Sequence, residues 1–480
     1  MKLTFKFLIA LGLISAASIM GLLVEGARLE AHDDKDFEVW ATDQSGTAGK
    51  LHIYNGEDLI DDPNSAVAEV IDLGGAVSTQ CTTDTGSTPT RAHIVLFNST
   101  HTVAILAYVA SGHVVFIDAA TRTPIKCIRM SPGDVINPAT GEPFRQAHAA
   151  FPARNDQYVV VANQNGRLLE RINTNADGDG TPYENAADIV HDTDATLHLV
   201  SCTTNTGVPC QQAGVRPTNN VICPIVDDTS TLTFITLSGG GLLVANTSTG
   251  GAPPPIVADY DLTTIHGNGC GGMQASTQAS GRIYINSGAF TGNPDESDLY
   301  SFPADVASYS SNLPNTPSPT LVYSFDGVPP VNDSHGMTLV TRKKRVLWVG
   351  DRATNEIQVV NTRKDKLVNT FSLVSKASSD PAPDLMAVDP KSKYAFIALR
   401  GPCPLTANDP TVNNAVGNTP GVMVVKRKRG GFIGKVVGVA RITDPAPAAF
   451  DCTTRTDDTP DGLATITERA DPHGIAVRSL

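Results

Sequence analysis

The chain ends at residues 470–480 on "ADPHGIAVRSL", an apolar strand opened by Pro-His-Gly with nothing after it. A strand left alone exposes unpaired backbone N–H and C=O groups, so it must pair with strands already made. The opposite end offers the partner. "DFEVWATDQSGTAGKLHIYNGEDL" (36–59) and "AEVIDLGG" (68–75) read as strands two, three and four of a four-stranded sheet that lacks its first strand. The two ends together complete one sheet.

The stretches between repeat the same grammar. "HIVLFNSTHTVAILAYVASGHVVFIDAATRTPIKCI" (93–128) reads as four short strands parted by turn residues. "HAAFPARNDQYVVVANQNGRLLERI" starts the pattern again at His148, "HGMTLVTRKKRVLWVGDRATNEIQVV" at His335 and "DLMAVDPKSKYAFIALRG" at Asp384. In all four copies the second strand opens ten residues after the first: Val103, Tyr158, Arg345 and Tyr394. Looser copies start at Ile222 and Met273. Six units and the shared one predict an all-β, seven-bladed β-propeller over residues 36–480, closed by the C-terminal strand, with insertions near 173–215 and 403–420.

Composition agrees with short strands and many turns: 480 residues, 41% hydrophobic and only 18% charged, with 41 Gly and 32 Pro. A net charge of −13 argues against a nucleic-acid partner, which needs a basic face. Residues 1–31 have Lys2 and Lys6 before an apolar run, the layout of a secretory signal, with an uncleaved N-terminal anchor as the alternative. No membrane contact is expected beyond that segment. The protein is therefore expected to be periplasmic or secreted. All eight cysteines, Cys81, Cys127, Cys202, Cys210, Cys223, Cys270, Cys403 and Cys452, follow the signal, and an even count in an exported chain favours disulfides. The short Cys202 to Cys210 loop is the pair best supported by spacing; the others stay open.

The phrases "PHGIAV", "DPKSKYAFIALRG" and "NEIQVVNTRKDKLVNTF" resemble the YVTN-type seven-bladed β-propellers. That resemblance implies a fold that hosts binding proteins, lactonase-like hydrolases and copper enzymes, so it leaves function open. The chain is also similar to the propeller domain of nitrous oxide reductase. It has at most four axial histidines and no counterpart of the electron-transfer copper domain, so a copper–sulfide cluster is not expected.

In a propeller, equivalent inner-strand positions face the axis together. Here the first positions, in blade order, are His473, His93, His148, Ile222, Met273, His335 and Asp384. Four of the 11 histidines occupy this one position. Imidazole with carboxylate is a donor set for zinc, copper or iron, so His93, His148, His335, His473 and Asp384 are the candidate ligands, with His266 as a possible addition from a rim. The competing reading makes each His a staple, donating to a backbone carbonyl of the next blade; Gly336 and Gly474 after two of them favour close backbone approach. Arg91, Arg145, Asp333 and Asp471, just upstream, are candidates to orient the rings.

"NTNADGDGTPYE" (173–184) spaces Asn175, Asp177 and Asp179 as in oxygen-rich calcium loops, though a plain acidic turn has the same composition. No GxSxG, HExxH, Walker loop or strand-linked GxGxxG occurs. Two functions remain: an exported binding or scaffold propeller for an unidentified protein or small-molecule ligand, or a metal-dependent hydrolase or redox enzyme. In the second, Asp384 would be a ligand or general base and no other catalytic residue is assigned.

Overall fold

A computed structural model describes residues 36–266, 281–287, 297–310, 314, 316–325, 332–406, 415–450 and 466–480. Met273, Cys270, Cys452 and the expected signal lie outside these residues.

The termini share a sheet as the sequence predicts. Strand Pro472–Ser479 pairs antiparallel with Phe37–Asp43, placing Trp40 opposite Ala476 and Ala41 opposite Ile475, and Lys50–Asn55 and Glu69–Asp72 complete the blade. Five other blades are four-stranded meanders whose inner strands are Ala92–Phe97, Ala147–Pro152, Val221–Val226, Ser334–Leu339 and Pro383–Val388. In the remaining blade three strands are described, Arg282–Ser287, Asp298–Pro303 and Thr320–Ser324. The fold is thus a seven-bladed β-propeller. Closure through the shared sheet leaves neither terminal strand unpaired.

Inner and second strands are apolar runs rather than alternating ones because both faces of each blade are covered by neighbouring blades. Ala92–Phe97, Val103–Tyr108 and Tyr158–Asn163 are buried at every position. Aromatic rings fill the wedges between sheets: Trp40 meets Phe97 edge to face and Trp348 meets Phe371. Outer strands return to alternation, as in Lys366–Ser372, where every second residue is exposed.

The insertion at 173–215 needs one correction. It contains its blade's outer strand, Val190–His198, which pairs with Leu168–Asn173; only the flanking loops are additions. Cys202 and Cys210 are bonded, and Cys81 of helix Ala76–Thr85 is bonded to Cys127 of an outer strand. Cys223 and Cys403 are also in disulfides.

Candidate functional site at the propeller axis

A local irregularity aims the axial residues. In five blades the pairing of inner and second strands slips at the first position: between Ala92 and Ile94, Ala147 and Ala149, Ser334 and Met337, Pro383 and Met386, and Pro472 and Ile475. A bulge leaves its extra residue unpaired and turns its side chain. The residues in these bulges include His93, His148, His335, Asp384 and His473. All five converge.

The rings form a chain of contacts. His93 stacks on His473 with centroids 3.7 Å apart, His148 meets His93 edge-on at 4.7 Å, and His335 meets His473 edge-on at 5.4 Å. Asp384 Oδ1 lies 2.7 Å from His335 Nδ1, and Oδ2 lies 3.7 Å from His473 Nε2. Among the described residues, His335, Asp384 and His473 form a group whose donor atoms lie within 4.8 Å of one another, a set that could hold a metal ion.

In two of these rings the stapling contact and the free nitrogen lie on opposite sides. His148 Nδ1 donates to the Ile222 carbonyl of the next blade at 2.8 Å, as the staple reading requires. His93 Nδ1 lies 2.8 Å from Gln44 Oε1, and Gln44 is oriented because its Nε2 donates to Asp471 at 2.9 Å. An acceptor at each Nδ1 places the ring proton there and leaves Nε2 as a lone pair. The two Nε2 atoms face each other at 3.4 Å. Two nitrogens on one tetrahedral ion, with bonds of ~2.1 Å, stand about 3.4 Å apart.

Electrostatics favours the deprotonated donors that a metal needs. Burial, reinforced by His473, His148 and Arg400, holds His93 well below its ordinary value; burial and His335 bring His148 down to about 4; burial also depresses His473. Burial opposes charge on Asp384, yet His473, His335 and Arg400 outweigh it and hold the carboxyl well below the usual range. Around the rings, Arg400 bridges Asp384 at 2.8 Å and Asp471 at 2.7 and 2.8 Å, and Arg352 grips Asp333 at 2.8 and 3.0 Å. The buried carboxylates of Asp351 and Asp43 accept in turn from the N–H groups of Asp333 and Asp471, so buried carboxylates outnumber the guanidiniums of Arg352 and Arg400 here.

Gln44, Arg352 and Arg400 are not singled out by the sequence reading. Each follows the last residue of its blade's second strand, Asp43, Asp351 or Leu399, so aligning the repeats one column further would have found them. Asp333 and Asp471 act on the cluster through these residues. Arg91 and Arg145 instead donate to the carbonyls of Leu405 and Met130. His266 Nδ1 lies 3.2 Å from Asp298, in a contact of its own. In the exposed loop at 175–180, Asn175 accepts from the N–H of Gly180, Asp177 from that of Asp179 and Asp179 from that of Thr181, the bonding of an acidic turn.

No protein-family model matches the sequence, and no curated protein matches it. Solved structures do. A protein from Lactobacillus plantarum superposes with a TM-score of 0.52 at 10% identity, covering 92% of this chain and 99% of that one. The periplasmic gluconolactonase PpgL of Pseudomonas aeruginosa gives 0.51 at 10%, covering 85% and 96%. A protein assigned as a 6-phosphogluconolactonase from Bacteroides uniformis gives 0.50 at 11%, covering 84% and 96%. The likeness is one of fold. At such identities the axial residues must speak for themselves.

Proposed function

We propose that the protein is an exported β-propeller that holds a transition-metal ion on its axis, with His93, His148, His335, His473 and Asp384 as the donor set. The observation that carries this is the pair of Nε2 lone pairs facing at 3.4 Å, each fixed by an acceptor at the opposite ring nitrogen. Imidazole with one carboxylate suits zinc, copper or iron. The four disulfide-bonded cysteines with described partners support an oxidising compartment. No helix among the described residues is long and apolar enough to cross a membrane. A calcium ion in the 175–180 loop is a separate proposal, supported by spacing alone.

A second reading is hydrolysis, with Asp384 as general base for a metal-activated water. It draws on the ionised, buried state of Asp384 and on a fold shared with gluconolactonases.

Elemental analysis of untagged, chelator-free protein tests the binding reading. One transition-metal ion per chain, lost in the His93→Ala, His473→Ala double variant, is the expected result. Metal-free protein whose melting temperature ignores added zinc, copper and iron would defeat it. Gluconolactone hydrolysis by loaded protein, abolished in Asp384→Asn with metal retained, would establish the second.

A further inference from the structure

Four buried polar atoms without an aligned hydrogen bond gather at the axis: His335 Nδ1 and Asp384 Oδ1, which face each other at 2.7 Å, and His473 Nδ1 and Arg352 Nη1, which have no partner that close. Their needs differ. Lone pairs on imidazole and carboxylate call for a cation, whereas the guanidinium N–H calls for an acceptor. A metal ion answers the first and repels the second.

Arg352 cannot turn away. Its Nε and Nη2 are fixed on Asp333, and the side chain is only 3% exposed. Nη1 is thereby held 3.8 Å from Asp384 Oδ1, beyond hydrogen-bond reach but beside the donor cluster.

We propose that the axial centre binds a small oxyanion of the carboxylate class, with one oxygen on the metal and the other accepting from Arg352 Nη1. The inference rests on the metal-holding reading above. A carboxylate fits because its two oxygens can serve both partners at once, and a guanidinium N–H to a carboxylate oxygen is a charge-assisted bond. Size is limited by burial: His93, Asp384 and His473 are closed off, and of the five axial residues only His148 and His335 keep partial exposure.

The test uses the full chain loaded with zinc and titrated calorimetrically with acetate at constant ionic strength. Saturable binding of one acetate per zinc is expected, weakened roughly tenfold or more in Arg352→Lys, which keeps the charge opposite Asp333 but loses the forked donor. Zinc content should stay at one per chain. If Arg352→Lys fails to fold, the Asp333→Asn, Arg352→Gln pair removes both charges together and should give the same loss. Zinc uptake with no saturable acetate binding, or with equal acetate affinity in the variants, overturns this inference and leaves the metal reading intact. Absence of zinc uptake overturns both.

Discussion

Gly336 lies flat against Asp384: a Cβ on Gly336 would stand 2.3 Å from the Asp384 carbonyl oxygen and 2.8 Å from Leu385 Cα. The next junction repeats the relation, with a Cβ on Gly474 falling 2.7 Å from the His93 carbonyl oxygen. The glycine after each histidine therefore sets how closely adjacent blades approach. Gly336→Ala should cost roughly 1–3 kcal/mol, as overpacking does, and should weaken metal uptake by parting His335 from Asp384. Urea unfolding with parallel metal analysis checks both effects, and unchanged values would show that the blades can separate without penalty.

Gln44→Ala should leave the fold intact while lowering metal affinity by roughly 10–100-fold. The side chain accepts from His93 Nδ1, and without it the imidazole can place its proton on Nε2 and present the wrong nitrogen. Competition against a chromophoric zinc chelator measures the change. Gln44→Glu keeps the acceptor but loses the donor to Asp471 and sets two buried carboxylates together, so it should not restore the affinity.

Acid should destabilise the protein through histidines remote from the axis. Burial holds His52 down to about 4, helped by Lys50, and holds His113 down to about 4, helped by Arg129 and Arg145; Asp444 opposes the shift at His52. Between the unfolded value near 6.5 and about 4, the unfolded chain takes up protons that the folded one refuses. Stability is therefore full above pH 6.5 and falls with pH, by roughly 1 kcal/mol per pH unit for each ring. Asp351, raised by burial to about 6, works in the opposite sense between that value and 3.8. Unfolding free energies at pH 7 and pH 5 should show the loss, and His113→Gln should flatten it.

Cys81→Ala with Cys127→Ala should cost about 2–4 kcal/mol, because the bond closes a loop of 46 residues and pins the only long helix among the described residues to an outer strand. The loss appears as a lower denaturant midpoint. Metal content should not change, since the bond lies at the blade's outer side.

Most of this architecture was legible in the sequence because repetition carried it. A ten-residue spacing between first and second strands, seen in four copies, located His93, His148, His335 and Asp384 at one position, and the orphan terminal strand supplied His473. What escaped was the support. Arg352, Arg400 and Gln44 follow second strands whose apolar runs drew attention to packing, and a single polar residue at a strand end reads as a turn. Their roles arise from contacts across blades, such as Gln44 with Asp471, that no local pattern encodes. Which ring nitrogen meets the neighbouring acceptor was also beyond sequence, because it depends on contacts between blades.

The shared sheet has a consequence for the order of events in synthesis. His93 is translated early, but its stacking partner His473 is the eighth residue from the end of the chain. A chain cut before Pro472 would keep every blade except the clasp and would lack His473. An ion held by these donors would therefore report that the two distant strands of the clasp had met.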